Sequence, residues 1–430
     1  MMGTQLEAAA GGLITAAMKA AARAEGVSAE AVRRQVESGR AVIPCNPAHK
    51  NLRPAVVGRA FRTKVNANIG RSPEVSSARG EMRKLLAALE AGADTVMDLS
   101  VGAGLGRIRR RIIAGCPVPV GTVPIYEAFC RADGRIERLD SQLILDVIAE
   151  QAEEGVDFMT LHAGVLRRML PLAMRRKLGI VSRGGAIIAR WMCRFGRENP
   201  LYERWSDVLE ICRRHDVTVS LGDGLRPGCQ ADASDAAQFA ELETLGELVR
   251  ISRRAGVQAM VEGPGHIPFD QIEMNIRREQ KICSGAPFYV LGPVVTDVAP
   301  GYDHISAAIG ATAAAFYGAS LLCYVTPSEH LGLPTAEEVR TGVVAFRIAA
   351  HAADIALGIP GARQRDDAMA EARMKMDWRA QFRLALDGRM AAGRFRKSGR
   401  SIPEGSDHCT MCGRDFCAVR ASREMRRRAK

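Results

Sequence analysis

Residues 217–223, which run Val217-Thr218-Val219-Ser220-Leu221-Gly222-Asp223, show the unit from which this chain is built. A short β-rich apolar run ends in a glycine and a polar residue, and an amphipathic helical pattern follows at residues 239–254. The same kind of apolar run recurs from about residue 64 onward. The runs lie at 64–68, 95–99, 118–124, 157–163, 179–184, 217–223, 257–263, 288–292 and 321–325, with further helical patterns at 81–91, 143–153 and 206–215.

Strands that alternate with helices predict parallel βαβ units. Eight such units that close on themselves form a TIM (β/α)8 barrel, which is the α/β fold predicted here. Because there are nine candidate strands, we expect one of them to be an accessory strand or a loop. An open doubly wound sheet is the alternative, but no Gly-x-Gly-x-x-Gly turn follows the first strand.

The barrel is predicted to have an extension at each end. A helical N-terminal segment is expected at residues 1–59, the substrate-binding barrel at 60–358 and a C-terminal helical arm at 359–430. A linker rich in Gly, Ser and Pro at 398–405 leads from the helices of the arm to a loop that contains three cysteines. The arm is therefore expected to carry that loop on a tether.

The composition excludes several classes of protein. The chain has 430 residues, of which 47% are hydrophobic and 25% charged, as expected for a globular protein. No apolar run reaches the roughly 18–20 residues that cross a bilayer, and no secretion signal is visible, so we expect a cytoplasmic protein without membrane contact. The net charge of +12 is largely local, and aromatic residues make up only 5%, which argues against nucleic acid as a partner.

The three cysteines near the C-terminus are the strongest functional signal. Cys409, Cys412 and Cys417 have the spacing C-x2-C-x4-C. Three thiolates are one too few for a closed zinc site, but they suit a [4Fe–4S] cluster that leaves one iron open to a substrate. Structural zinc with His408 as fourth ligand is an alternative, although adjacent residues rarely bind one ion together. Unliganded thiols are the remaining alternative.

Polar residues follow nearly every predicted strand, at the end where barrel enzymes place their chemistry. A packed core would not need these groups, whereas a convergent polar pocket explains them together. The residues at the predicted strand ends are Asn66, Asn68, Asp98, Tyr126, His162, Ser182-Arg183-Gly184-Gly185, Asp223-Gly224-Leu225-Arg226, Glu262-Gly263-Pro264-Gly265-His266, Tyr289, Glu329 and His330.

Some of these groups indicate a particular chemistry. The run from Ser182 to Gly185 offers backbone N–H groups, a hydroxyl and a guanidinium, which suit a phosphate, and Arg226 offers a second cation. His266 and His330 on neighbouring strand ends suit a catalytic metal ion, although single histidines are more often structural. His304 competes as a ligand. Asp98 and Glu262 are proton carriers or orienting groups, a choice that the sequence leaves open.

Seven ordered motifs, together with the cysteine triplet, resemble the phosphomethylpyrimidine synthase family, a group of radical S-adenosylmethionine enzymes that make the thiamine pyrimidine. The likeness runs from about residue 11 to residue 418. The motifs are Val65-Asn66-Ala67-Asn68-Ile69-Gly70, Thr95-Val96-Met97-Asp98-Leu99-Ser100, Gly121-Thr122-Val123-Pro124-Ile125-Tyr126, Ser182-Arg183-Gly184-Gly185, Asp223-Gly224-Leu225-Arg226-Pro227-Gly228, Glu262-Gly263-Pro264-Gly265-His266 and Ala299-Pro300-Gly301-Tyr302-Asp303-His304.

The resemblance implies a substrate, a set of cofactors and a homodimer in which the cluster arm completes the partner's active site. It implies that His266 and His330 hold Zn²⁺ or another divalent ion such as Fe²⁺, and that Cys409, Cys412 and Cys417 hold a [4Fe–4S] cluster. The substrate would be 5-aminoimidazole ribotide. The residues expected to contact it are Asn68, Met97, Tyr126, His162, Ser182, Arg183, Gly184, Asp223, Gly224, Leu225, Arg226, Glu262 and Tyr289.

The implied reaction starts with reductive cleavage of S-adenosylmethionine, with an electron from an external donor. The 5′-deoxyadenosyl radical then abstracts hydrogen from the substrate ribose. The expected products are 4-amino-5-hydroxymethyl-2-methylpyrimidine phosphate, formate, carbon monoxide, 5′-deoxyadenosine and methionine, which makes the enzyme a lyase of thiamine biosynthesis.

Two alternatives to this function stay open at the level of the sequence. The sister enzyme 5-hydroxybenzimidazole synthase acts on the same substrate to make a cobamide lower ligand, but the motifs at residues 162–165 and 223–227 look more like the pyrimidine enzyme. We expect the chain to resemble the short form of the family, without the long N-terminal domain of many members, and its loop at 44–49 is looser than the family's usual run. A more remote alternative is a non-catalytic metal-binding regulator that contacts nucleic acid through its basic tail.

Overall fold

The computed structural model describes residues 3–72, 77–397, 408 and 410–429. Its centre is a closed barrel of eight parallel strands in which each strand pairs with the next along the chain, and the last pairs with the first. The predicted TIM barrel is therefore confirmed. The barrel strands are β3 (Lys64–Ile69), β4 (Thr95–Asp98), β5 (Val120–Thr122), β6 (Phe158–Leu161), β7 (Thr218–Leu221), β8 (Ala259–Gly263), β9 (Phe288–Leu291) and β10 (Leu321–Cys323).

The ninth candidate strand, at residues 179–184, is a loop followed by the start of a helix. The side chain of Ser182 accepts a hydrogen bond from the backbone N–H of Gly185 and so caps the helix Arg183–Phe195. A capping serine satisfies one of the unpaired donors at a helix start, which favours a helix here over a strand. The expectation that one candidate is a loop is correct, but Ser182, Arg183 and Gly184 do not lie at a strand end.

Helices surround the barrel and bury their apolar sides against the strands. Several begin at a side chain that accepts a backbone N–H, such as Ser77, Asp140 and Asp235. The helices are α4 (Ala78–Ala91), α5 (Leu105–Gly115), α6 (Pro124–Arg131), α7 (Ser141–Glu153), α8 (Leu170–Ala173), α9 (Arg183–Phe195), α10 (Pro200–Glu203), α11 (Trp205–His215), α12 (Ala236–Arg254), α13 (Ile272–Ile282), α14 (Asp303–Tyr317) and α15 (Ala336–Leu357).

The N-terminal segment contains three helices and a two-stranded antiparallel sheet that the sequence did not predict. The elements are α1 (Gln5–Ala10), α2 (Ala16–Glu25), α3 (Ala29–Glu37), β1 (Ala41–Val42) and β2 (Val57–Gly58). The segment is tied to the barrel through buried polar groups. The Gln258 amide accepts from and donates to the backbone of Ile43, at 2.7 and 3.0 Å, and the ring of His49 bonds to Asp157 at 2.7 Å.

The chain divides into two compact units, Met1–Leu357 and Gly358–Lys430. In the second unit the helices are α16 (Ala362–Lys375), α17 (Trp378–Leu384), α18 (Gly388–Lys397) and α19 (Ala418–Arg428). The rings of Trp378, Phe382 and Phe395 cluster there, with the Trp378 and Phe395 centroids 4.5 Å apart. The predicted linker at 398–405 lies outside the described residues.

Within the described residues, no single helix has the length and apolarity needed to cross a membrane. One bent pair of consecutive helices meets that requirement only when both are counted together.

Candidate active site

A polar cavity lies at the carboxyl-terminal mouth of the barrel, where the parallel strands end together. Its volume is about 70 Å³, and a neighbouring cavity of about 260 Å³ shares Asn68 and Leu99 with it. Eight of the residues predicted to contact substrate line the first cavity, although they come from seven separate segments of the sequence. These residues are Asn68, Met97, Tyr126, His162, Asp223, Arg226, Glu262 and Tyr289.

The start of α9 brings the remaining polar residues close to this mouth. Arg183 lines the neighbouring cavity, and its guanidinium lies 5.0 Å from the ring centroid of Tyr126. Gly184 packs so closely on the ring of His162 that an added Cβ would lie 2.2 Å from its Cε1 atom. A methyl group at Gly185 would lie 2.2 Å from the carbonyl oxygen of Gly224. Glycine is therefore needed at both positions to hold α9 against His162 and the 223–226 turn.

Four of the predicted substrate residues support the mouth without lining either cavity. They are Ser182, Gly184, Gly224 and Leu225. Ser182 caps α9, and Leu225 is fully buried in the hydrophobic core. The backbone N–H of Leu225 donates to the Glu241 carboxylate at 2.7 Å, which fixes the turn that carries Asp223 and Arg226.

Asp223, Arg226 and Glu262 form the charged part of the mouth. Arg226 Nη1 lies 3.2 Å from Asp223 Oδ1, and the other Asp223 oxygen has no hydrogen-bond partner among the described residues. Burial raises the pKa of Asp223 well above its usual range, and the nearby Glu262 raises it further, while Arg226 opposes this. Burial also raises the pKa of Glu262. The mouth therefore disfavours two ionised carboxylates and retains a guanidinium, an arrangement suited to an anionic ligand.

His162 is buried beside these groups and is held in its neutral form. Burial lowers its pKa to about 3, and the positive charge of Arg226 contributes in the same direction. Its Nδ1 atom is buried and has no partner in the described part of the chain. A neutral imidazole can donate from one nitrogen and accept at the other, so His162 is able to orient a ligand but not to act as a cationic acid near neutral pH.

Three residues that contribute to the mouth were missed by the sequence analysis. Thr160 and Ser220 donate hydrogen bonds to the same oxygen of Glu262, at 2.6 and 3.2 Å, and so orient its carboxylate. Cys323 lines the cavity and accepts a hydrogen bond from Asn68 Nδ2 at 3.1 Å. Thr160 lies two positions before His162, so the alternation of side chains along a strand could have indicated it.

His266 and His330 lie together, as predicted, with ring centroids 5.2 Å apart. The Nδ1 atom of His266 bonds to Asp297 at 2.9 Å, and that of His330 bonds to Asp303 at 2.8 Å. Carboxylates that hold one ring nitrogen in this way typically orient the other toward a metal ion. The described residues contain no group of three or more His, Cys, Asp and Glu side chains that could enclose an ion. Any ion held here would therefore have two imidazole ligands, and its other positions would be open.

The cysteine loop is described only in part, because Cys409 lies outside the described residues. Cys412 is exposed, and Cys417 is buried and immediately precedes α19. Between these two cysteines Phe416 is 86% exposed, and Met411 on the other side of Cys412 is 91% exposed. Both of these large apolar side chains are therefore open to solvent.

A model of the family described as the radical SAM ThiC family matches residues 4–424. The phosphomethylpyrimidine synthase of Natronomonas pharaonis is 59% identical over 430 residues, which cover 99% of this chain and 89% of that protein. Proteins with the same name from Halobacterium salinarum and Haloarcula marismortui are each 56% identical, over 427 and 428 residues. These matches cover 99% and 98% of this chain and 89% and 88% of the two relatives.

Proposed function

The chain belongs to the radical SAM ThiC family and is an enzyme of thiamine biosynthesis, and on that premise we propose that it converts 5-aminoimidazole ribotide into 4-amino-5-hydroxymethyl-2-methylpyrimidine phosphate. The observation that carries the proposal is the convergence of eight polar and sulfur-containing residues, from seven separate segments of the sequence, on one cavity at the barrel mouth. Family membership excludes the non-catalytic regulator that the basic tail suggested.

The proposed cofactors are S-adenosylmethionine and a [4Fe–4S] cluster held by Cys409, Cys412 and Cys417. When bound, they supply a 5′-deoxyadenosyl radical, formed with an electron from an external donor. Three cysteines leave one iron of such a cluster without a protein ligand. The exposed Phe416 and Met411 support a cluster loop that packs against a second surface, and we propose that this surface is the active site of the partner in a homodimer.

The protein's own residues have two tasks in this proposal. Arg226 and Arg183 would bind the substrate phosphate, because guanidinium groups pair with phosphate oxygens through several hydrogen bonds. Neutral His162, together with Tyr126 and Tyr289, would orient the imidazole and the ribose through uncharged hydrogen-bonding groups. Because the pKa of Asp223 is raised, its carboxylate is more readily protonated and neutralises Arg226 less. The positive charge of Arg226 is then available to the phosphate.

Glu262 is proposed as the group that takes or gives a proton while the ribose rearranges. Thr160 and Ser220 hold one of its oxygens, so its carboxylate has a fixed direction before substrate arrives. Its pKa is raised by burial, which brings it nearer to the pH at which proton transfer in both directions is efficient.

We also propose that His266 and His330 bind Zn²⁺ or another divalent ion such as Fe²⁺. Their Nδ1 atoms are engaged by Asp297 and Asp303, so both rings would bind the ion through Nε2. With only two protein ligands, such an ion would keep positions for substrate or cofactor atoms, as catalytic ions do.

The deciding experiment is an oxygen-free reconstitution with reductant, S-adenosylmethionine and 5-aminoimidazole ribotide, with products identified by mass. We expect the pyrimidine phosphate together with 5′-deoxyadenosine. Formation of 5-hydroxybenzimidazole instead would contradict the proposed product and assign the sister reaction. An Arg226→Gln variant is the matched test of the mouth: we expect a raised KM for the ribotide, whereas a normal KM would contradict the role of Arg226.

A further inference from the structure

A second cavity, of about 600 Å³, lies at the end of the barrel opposite to the catalytic mouth. Its floor is formed where β9 and β10 begin, at Pro287 and Ser320, and its side is formed by the N-terminal segment, at Arg40 and Arg59. Because parallel strands all run in one direction, residues that precede the strands cannot reach the mouth where the strands end. The cavity is therefore separate from the active site.

The side chains that line this cavity carry a net positive charge. Among the described residues that line it, Arg40 and Arg59 are the charged ones, and none carries a carboxylate. Arg40 forms no ion pair within the described part of the chain, and Arg59 donates only to the neutral amide of Gln280, at 3.3 Å. Guanidinium groups that face a concave surface without a counter-ion attract anions from solution.

The neighbouring groups do not neutralise these two arginines. Arg253 reaches toward the same region and adds a third guanidinium, whose bonds go to the carbonyl oxygens of Gly39 and Ser284 at 2.6 and 3.4 Å. The carboxyl group of Glu279 is fully buried, and burial raises its pKa well above the usual range. Glu37, at the end of α3, pairs with Arg33 at 2.9 Å. The three arginines therefore make the electrostatic potential in the cavity positive.

A buried hydroxyl group supplies an independent sign of a ligand. Ser320 is only 3% exposed and lines the cavity, and its Oγ atom has no hydrogen-bond partner among the described residues. Burying an unpaired hydroxyl is unfavourable, so such groups in folded proteins are normally paired with another protein group, ordered water or a ligand. The Oγ atom is covered in the present rotamer, and rotation of the Ser320 side chain about χ1 would turn the hydroxyl toward a ligand oxygen in the cavity.

We propose that this cavity binds a phosphorylated small molecule. Phosphate oxygens match the two guanidinium groups and the serine donor, since arginine pairs with phosphate through parallel N–H bonds. The volume lies in the range of small-molecule sites, at roughly 300–1,000 Å³. No aromatic ring is among the described lining residues, so recognition rests on the phosphate and not on stacking of a base.

The ligand would join two parts of the first unit. Arg40 lies between α3 and β1, Arg59 directly follows β2, and Ser320 directly precedes β10. A phosphate bonded to all three would fasten the N-terminal segment to the barrel, and binding to the folded state alone raises its stability with ligand concentration.

The test uses inorganic pyrophosphate as probe and the full-length protein, with binding measured by calorimetry and unfolding by thermal melting. We expect Arg40→Gln/Arg59→Gln to weaken pyrophosphate binding by about tenfold or more, because two charged hydrogen-bonding groups are lost. Both side chains are exposed, so the variant should fold normally. Ser320→Ala, which removes only the hydroxyl, should weaken binding by a smaller factor, and it serves as the second variant if the first fails to fold.

Two control variants separate binding at this cavity from binding elsewhere on the protein. Arg83→Gln/Arg111→Gln removes the same charge from exposed positions on α4 and α5, and it should bind pyrophosphate like the wild type. Arg226→Gln disables the cation at the catalytic mouth and should leave the binding at this cavity in place, which keeps the result independent of the proposed reaction. Equal binding by the wild type and Arg40→Gln/Arg59→Gln, or an equal loss in Arg83→Gln/Arg111→Gln, would overturn the proposal.

Discussion

Gly185→Ala should disrupt the active site by separating two elements that now touch. The added Cβ would lie 2.2 Å from the carbonyl oxygen of Gly224 and 2.8 Å from its Cα. That is roughly 1 Å inside ordinary van der Waals contact, and both groups are backbone, so neither can rotate away. Either α9 or the 223–226 turn must move by about that amount. Overpacking of this kind destabilises by about 1–3 kcal/mol.

The larger effect should be on catalysis, because the displaced elements carry Arg183 and Arg226. A misplacement of about 1 Å at a reacting centre lowers rates by on the order of a hundredfold. Steady-state assays of pyrimidine phosphate formation should therefore show a strong loss of kcat/KM in Gly185→Ala, with a modest fall in Tm.

Gly80→Ala is the matched control for that experiment. Gly80 also lies in the first turn of a helix, α4, but its added Cβ would meet only Ser77 Oγ, at an ordinary 3.6 Å. Alanine at a helical position is favoured over glycine by up to about 1 kcal/mol, so this variant should be at least as stable as the wild type and fully active. If Gly185→Ala were as active as Gly80→Ala, the close contact between α9 and Gly224 would not position the site.

Three further predictions address stability, the metal ion and the cluster. Burial raises the pKa of Asp216 from 3.8 to about 7, so the wild type should lose stability as the pH rises between these values, by at most about 4 kcal/mol. Asp216→Asn should flatten this dependence in melts from pH 4 to 8, and an unchanged slope would refute the assignment. His266→Ala/His330→Ala should remove one bound divalent ion per chain by elemental analysis and leave the cluster absorbance intact, whereas His215→Ala should retain the ion; equal metal content in both variants would contradict the site. Cys417→Ala should abolish cluster absorbance and cleavage of S-adenosylmethionine, while a chain that lacks residues 423–430 should retain both; an intact cluster spectrum in Cys417→Ala would exclude this thiol as a ligand.

The sign for Asp216 follows from its partners in the folded state. Its carboxylate accepts bonds from Gln5, which favour the charged form, but burial outweighs them. The folded protein therefore holds the proton more tightly than the unfolded chain, and stability is greatest below about pH 4 with respect to this group. Asparagine is a suitable replacement because Asp216 has a φ of 50°, a left-handed conformation that asparagine adopts more readily than most residues.

The barrel could be predicted from the sequence because its signal is local and repeated. Each strand is a short apolar run that ends at a polar residue such as His162 or Asp223. The fold can therefore be predicted from the repeat of strand and helix patterns, and the mouth from the polar residues at the strand ends. Residues 179–184 were ambiguous because a short apolar run before a glycine pair fits a strand as well as a helix start. The hydrogen bond from the Gly185 N–H to the side chain of Ser182 favours the helix start over the strand. That hydrogen bond forms only when the chain has turned in the right direction after β6.

What the sequence could not indicate are contacts between distant segments. Thr160 and Ser220 come from different strands and meet at Glu262 only after the barrel closes. The three groups that mark the cavity at the opposite end, Arg40, Arg59 and Ser320, are likewise far apart in sequence. Only folding brings these three residues to one cavity that has no carboxylate in its lining. From the composition alone, such arginines would be assigned to the solvated surface.

The charges of the barrel mouth suit the proposed reaction, which moves hydrogen atoms rather than ions. His162 is neutral, the pKa values of Asp223 and Glu262 are raised, and burial also raises the pKa of Tyr289 well above its usual range. The lining therefore stays close to uncharged apart from its guanidinium groups, which would bind the phosphate of the proposed substrate. Arrival of that phosphate would draw Arg226 away from Asp223, and an unpaired buried carboxylate is costly, so substrate binding should favour the protonated form of Asp223. Any Asp223 that is still ionised would thus take up a proton as the phosphate binds, which would keep the net charge around the ribose of the proposed substrate small.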